Sequence, residues 1–436
     1  MMAMENLDPT PPVSGMHLLA EPSLAAKAAY DKRWQRIMDC VALKQSDRMP
    51  VALFTTFWLA KYGGISIRDN MYDYEKVADI MERACLEFEP DITTPVMENA
   101  SIGNVLEATG FKQLQWPGHG VGDNQPYQYL DREYMMAHEY DDFLLDPTGF
   151  FLGKYLPRVA GAFEGLEPLA SLSGNMYYGI SFASILFCLP QVQEALGKLA
   201  MAGGAVANHM NKTGGLVQRL RCLGFPYGFG AFSGAPYDVV ADYMRGAKGM
   251  MTDLYRHKEK LEEVFDKVRK LVIRQTIAMA KMNGNPLVFI PLHWAPDAFM
   301  SQKQFEKFWW PSFRQFMLDL IDADLIPVPM WEADCTKRLE VIKDIPAGKC
   351  IYWFERTDMV KAFEVLGDVV ALRGNISASA LTTGTPEDVD KEVRRLGDQV
   401  WNKGGSLILD AAFGIPDESS IENVRAMFSA ARKYAG

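Results

Sequence analysis

Hydrophobic positions change their period repeatedly along this chain. VALFTTF (51–57) is a short unbroken apolar run. YEKVADIMERACLEF (74–88) instead gathers Tyr74, Val77, Ala78, Met81 and Cys85 on one helical face. The first pattern predicts a strand covered on both sides, the second an amphipathic helix. The alternation persists to the C-terminus. Strands are predicted at 51–57, 91–97, 168–174, 216–222, 287–293, 325–331, 350–354, 369–374 and 406–410. Helices are predicted at 24–43, 74–88, 192–210, 236–255, 260–282, 301–321 and 386–400. Strands alternating with helices imply a parallel sheet with helices on both faces. The predicted fold class is therefore α/β, a closed (β/α)8 TIM-type barrel with one extra strand or one false assignment. A doubly wound open sheet is the alternative. Residues 1–45 read as an N-terminal arm (1–20, flexible) and helix, and 46–436 as the barrel with a long insertion near 98–167. GFPYGFGAFSGAP (224–236) reads as an irregular loop, and no strand opens onto GxGxxG or GxxxxGK[ST], so a nucleotide-phosphate cradle is not expected.

Composition narrows the class without naming a chemistry. The 436 residues are 48% hydrophobic and 23% charged, ordinary for a globular protein. Net charge is −10 with no basic run, so neither nucleic acid nor an anionic membrane is an expected partner. The six cysteines form no CxxC, no secretory pattern opens the chain, and no apolar run approaches the roughly 18 residues of a membrane span. A reducing, cytoplasmic setting is expected.

In a barrel, chemistry sits just past the C-terminal ends of the strands. Of the six histidines only His293 falls there. IPVPMWEADCTKRLE (326–340) ends a predicted strand in Trp331, Glu332 and Asp334. Carboxylates two residues apart share a face if strand geometry persists, and they repel unless a cation or a shared proton offsets them. Glu332 and Asp334 are thus the candidate catalytic acids. With His293, and with Asp410 at the end of the last strand, they make a nitrogen–oxygen set suited to Zn²⁺ or another divalent ion. Asp334 equally suits the cap of a helix beginning near Thr336, and Cys335, facing the other way, reads as a packed thiol. Phe57, Trp58, Trp294 and Trp331, also at strand ends, are candidate aromatic walls for a small molecule. Arg373 and Asn375, in LRGN, are candidate polar contacts, although Arg373 also reads as a barrel-interior partner for an acid. No GxSxG or HExxH is present.

GTPEDVDKEVRRL (384–396), GGSLILDAAFGIPDESSIENVRAM (404–427), MSQKQFEKFWWP (300–311) and LGDVVALRGNIS (366–377) resemble the uroporphyrinogen decarboxylase superfamily. GAPYDVVADYMRGAKGMMTDLYRHKEKLEEV (234–264) resembles a subgroup distinct from the haem-pathway enzyme. The resemblance spans roughly 30–436 and implies a (β/α)8 barrel, often a homodimer. The decarboxylases proper hold a polycarboxylate with an arginine-rich motif after the first strand, where this chain reads VALFTTFWLAKYGG (51–64) with no arginine. The methyltransferase branch moves methyl groups to or from a corrinoid. Its thiol-methylating members bind zinc through an HxC pair and a later cysteine, and here those positions read Trp331, Ala333 and Phe413. The resemblance together with the strand-end residues leads to the expectation of a corrinoid-dependent methyltransferase of the O-demethylase type, in which a metal held by His293, Glu332 and Asp334 binds the ether oxygen. Such an enzyme would act on a small methylated, aromatic substrate, with cob(I)alamin or methylcobalamin supplied by a separate corrinoid protein. A decarboxylase of an aromatic or tetrapyrrole acid, with Arg373 on the carboxylate, and a non-catalytic tetrapyrrole- or corrinoid-binding barrel are the alternatives.

Overall fold

Short parallel strands close into a ring in the computed structural model, which describes residues 21–94, 97 and 99–434. In chain order the strands are β1 (Ala52–Leu53), β2 (Ile92–Thr93), β3 (Leu114–Pro117), β4 (Gly120–Val121), β5 (Gln128–Tyr129), β6 (Ala231–Phe232), β7 (Leu287–Leu292), β8 (Ile326–Trp331), β9 (Ile351–Phe354), β10 (Ala371–Arg373) and β11 (Leu407–Ile408). Strands β6 to β11 pair in sequence order, all parallel, and β1 pairs with β2. Two parallel bridges, Val51 to Leu409 and Thr93 to Tyr227, join these groups into an eight-stranded barrel. The predicted (β/α)8 architecture is the observed one. Strands β3 to β5 form a small separate sheet in the long segment between β2 and β6.

Seven predicted strands are found and two are not; β3 to β5 were not predicted, nor was one strand of the barrel itself. LVQRLRC (216–222) is the last part of the Pro190–Cys222 helix. Leu216 and Leu220, one helical turn apart, are its buried residues, while Arg219 reaches Asp79 and Glu82 on the Tyr74–Phe88 helix. The 3.6 period therefore prevails over a brief apolar run. PLASLSG (168–174) lies in the 3-10 helix Glu167–Gly174, with Leu169 in a small satellite core beside Val192 and Ala195. The missed barrel strand, β6, has two residues inside the glycine-rich stretch. Gly230 is required there, since a Cβ on it would stand 1.9 Å from the Asn285 carbonyl oxygen. The arm predicted at 1–20 lies outside the described residues; the helix after it spans Leu24–Val41.

The barrel interior is a packed aromatic core. Phe54, Phe229, Phe289 and Trp353 meet with ring centroids 4.9–6.4 Å apart. At the N-terminal end, buried Asp91 accepts from Arg36, Arg48 and the Val51 nitrogen, tying the first helix to β1 and β2. No single helix among the described residues is long and apolar enough to cross a membrane. Only Tyr178–Cys188 and Pro190–Cys222 taken together reach that composition, and they are bent by 77°.

Candidate active site at the C-terminal mouth

His293 follows β7 directly and Glu332 follows β8, and since these strands pair in register the two side chains meet across the barrel mouth. His293 Nε2 lies 3.3 Å from Glu332 Oε1. The alignment is not that of a hydrogen bond, so this oxygen is a buried acceptor without a hydrogen-bond partner. The other ring nitrogen, Nδ1, is 2.6 Å from Asp242 Oδ2. Asp242 Oδ1 accepts from Trp294 Nε1 at 2.6 Å. Behind it, Asp238 accepts from the His293 backbone nitrogen (2.7 Å) and from Trp309 Nε1 (2.6 Å). The imidazole is thereby fixed between two carboxylates with a third beneath.

Asp238 and Asp242 belong to the helix after β6, which starts as Pro236–Asp238 and widens into a π-helix over Val239–Arg245. Neither was singled out from the sequence. A signal was present: they are four residues apart, flanked by Tyr237, Val240, Ala241 and Met244, all buried. Acids inside an apolar helical face need partners, and π-helical widening often accompanies a functional site.

Burial and charge set the protonation of this cluster. Burial alone would lower the His293 pKa, but the hydrogen bond to Asp242 and the charges of Glu332, Asp242 and Asp238 outweigh it and raise it to about 9. Burial raises Glu332 to about 7, against the opposing pull of His293. Burial, aided by the Asp242 charge, likewise lifts Asp238 to about 7. At neutral pH the cluster holds a proton on His293 beside an acceptor with unused capacity, which is equipment for general acid catalysis.

The predicted metal set is not assembled. Ala333 has φ of 51°, which breaks the strand alternation after Glu332. Asp334 therefore does not share the Glu332 face. It is exposed and accepts from the Thr336 nitrogen (2.9 Å) and hydroxyl (2.6 Å) at the start of the next helical turn. Asp410 is fully buried and paired with Arg373 at 2.7–2.8 Å. With Nδ1 of His293 held by Asp242, only Nε2 and Glu332 converge, fewer than the three protein ligands of a catalytic zinc. Among the described residues no group of three or more His, Cys, Asp or Glu side chains is arranged to hold a metal ion. The residues do not fit the expected resident zinc.

The predicted substrate contacts are also redistributed. Trp58 is core: its ring stacks on Tyr62 and its Nε1 donates to the Ser419 carbonyl. Trp331 is fully buried among Trp309, Trp310, Phe313, Tyr352 and Phe354, outside the barrel axis and beneath the helix that follows β7. Phe57 is buried edge-on to Tyr127. Trp294 reaches the site, but as the donor that orients Asp242. Arg373 lies over Trp353 at 3.9 Å and is committed to Asp410, as the barrel-interior reading had it. Asn375 does line an open polar groove of about 1100 Å³ at the mouth, with Glu355, Arg356 and Asp334. Cys335 is a buried thiol whose pKa burial pushes up.

Eight parallel strands with an acid–histidine chain at their C-terminal ends define a (β/α)8 barrel of the kind whose function is built at the mouth. The chain belongs to the uroporphyrinogen decarboxylase (URO-D) family, whose model matches residues 215–434. No curated protein sequence matches the chain. Among solved structures it is similar to a methyltransferase from Methanosarcina mazei, with 14% identity and a TM-score of 0.59 over 92% of this chain and 98% of that one. At that identity the likeness establishes the fold.

Proposed function

We propose that this chain is a methyltransferase that removes a methyl group from a small, uncharged methoxy-type donor, with His293 as proton donor. The observation that carries the reading is the His293 imidazolium, held on Nδ1 by Asp242 and directing Nε2 to the mouth beside the unused oxygen of Glu332. A corrinoid carried by a separate protein serves as the second substrate and accepts the methyl group. The methyl–oxygen bond breaks, and the leaving oxygen would keep a negative charge unless a proton reaches it. His293 supplies that proton, which is replaced from solvent. Glu332 accepts a hydrogen bond from the donor or its product, and Asp242 keeps the ring oriented. Resemblance to the methyltransferase branch and the fold shared with the Methanosarcina mazei methyltransferase support the same reading.

The decarboxylase alternative is less well supported. The arginine it needs for a carboxylate, Arg373, is buried and paired with Asp410, and the acids around His293, Asp242 and Glu332, with Glu355 nearby, put negative charge where that carboxylate would sit. Methyl transfer from a methoxyarene to cob(I)alamin, followed by the cobalamin spectrum, tests the proposal. His293→Gln should lower the rate by about 10²–10⁴-fold, the usual share of a general acid. Carbon dioxide release from an aryl carboxylic acid without any corrinoid would replace this function by the lyase one.

A second copy of the chain is the proposed partner in solution. Met176, Tyr177, Tyr178, Ile180, Phe182, Ile185 and Phe187 are all exposed. They lie in a stretch without Asp, Glu, Lys or Arg from 168 to 193. Large side chains carry roughly 150–250 Å² each, so the group presents on the order of 1,000 Å², comparable with the ~800 Å² per partner of a stable interface. A neutral apolar patch can meet its own copy without charge repulsion.

A further inference from the structure

A second cavity, of about 510 Å³, lies outside the acid cluster and is lined by no charged side chain. Its walls come from two separate parts of the chain. Phe151, Leu152 and Tyr155 belong to a π-helix, Phe151–Tyr155, in the segment between β2 and β6. Val239, Tyr243 and Met244 belong to the π-helix Val239–Arg245 that also carries Asp242, and Leu271 and Val272 of the Lys258–Asn283 helix complete it. Three π-helices occur among the described residues, and two of them border this one cavity. They are tied together by the Tyr155 hydroxyl, which donates to the Tyr243 carbonyl at 2.9 Å.

We infer that this cavity is a binding site for a small, uncharged aromatic molecule, and that its occupancy is communicated to His293 through the Val239–Arg245 helix. The volume falls within the range of small-molecule sites, and a lining without charge suits a neutral ligand. Aromatic rings on both walls, Phe143, Phe151, Tyr155 and Tyr243, suit a planar one. The coupling follows from chain geometry. Val239 and Tyr243 face the cavity while Asp238 and Asp242, one residue earlier in each case, hold the backbone and ring of His293. A π-helix has one residue more per turn than its neighbours and is a natural place for such a segment to shift register. This inference is independent of the methyl-transfer reading, since it requires only the contact between the helix and His293.

The test uses 4-fluorotoluene as probe, the full chain and ¹⁹F NMR. Saturable binding is expected, with at least a tenfold loss of affinity in Leu271→Trp and in Val272→Trp, each of which fills the cavity from its rim. Glu332→Gln, at the barrel mouth, should bind as the wild type does. The probe should also move the His293 ring-proton resonance, assigned by its loss in His293→Gln, while leaving that of His257 unmoved. Melting curves identify which of the two filled variants is folded and therefore informative. Absence of saturable binding overturns the site. So does binding that survives both filled variants but disappears in Glu332→Gln, which would place the probe at the mouth. Binding without any movement of the His293 resonance overturns the coupling.

Discussion

At the residue scale, the cluster around His293 shows how neighbours decide a side chain's chemistry. An ordinary histidine titrates near 6.5 and would be mostly neutral at pH 7. Here Asp242 and Glu332 raise it to about 9. A proton donor is competent only while protonated, so activity should fall as pH rises through about 9. Asp242→Asn removes one of the charges that raise the pKa, and this fall should move toward pH 6.5. A pH–rate profile of the two proteins checks the shift, which a purely structural role for Asp242 would not produce. A second prediction concerns the buried Arg373–Asp410 pair. Burial lowers the arginine pKa and raises that of Asp410 to about 6, so both charges carry a desolvation cost that only their mutual attraction offsets. Asp410→Ala should destabilise the fold by about 3–5 kcal/mol by stranding Arg373, and Arg373→Met in the same chain should recover much of that loss. Urea unfolding of the single and double variants measures it.

At the scale of elements, β8 shows what a linear pattern conveys and where it stops. IPVPMW reads as a buried strand, and all six residues are buried. Its pairing with β9 begins only at Met330, beyond Pro327 and Pro329, whose nitrogens have no hydrogen to donate. After Trp331 the alternation ends, because Ala333 takes the left-handed conformation and its nitrogen donates to the Glu355 carboxylate. Same-face reasoning for Glu332 and Asp334 needed extended geometry to continue through a residue that leaves it. Left-handed geometry costs a non-glycine residue about 1–2 kcal/mol. Ala333→Gly should therefore raise stability by up to about 1 kcal/mol in thermal unfolding, while leaving Glu332 in place. Trp331 belongs to the packing behind the strand, and Trp331→Ala should cost about 3–5 kcal/mol. Where the variant still folds, KM for the methyl donor should be unchanged.

At the scale of the whole molecule, a net charge of −10 keeps copies apart except where a surface carries no charge. The exposed apolar side chains between Met176 and Phe187 form such a surface. Sedimentation velocity should show a dimer, and Phe182→Asp with Tyr178→Asp should shift it to monomer without changing the melting temperature by more than a degree or two. The two substitutions lie on exposed positions and leave the satellite core of Leu166, Leu169, Val192 and Ala195 untouched. A monomeric wild type would remove the partner proposed for this face.

The parallel α/β class is legible in the hydrophobic pattern, whereas closure into a ring rests on the Val51–Leu409 and Thr93–Tyr227 bridges. Apolar runs alternating with amphipathic helices leave few other ways to cover both faces of a parallel sheet, and the strand-end rule located His293 and Glu332 without any contact information. The tertiary structure decided which groups share a site. Asp238 and Asp242 lie more than fifty residues before His293 and are joined to it only because β6 and β7 are neighbours in the ring. Asp410, which the strand-end rule also selects, is withdrawn from the mouth because Arg373 on the adjacent strand neutralises it. Periodicity records which face of an element is buried. It does not record which buried charge has found a partner, since that depends on neighbours brought together by closure of the barrel.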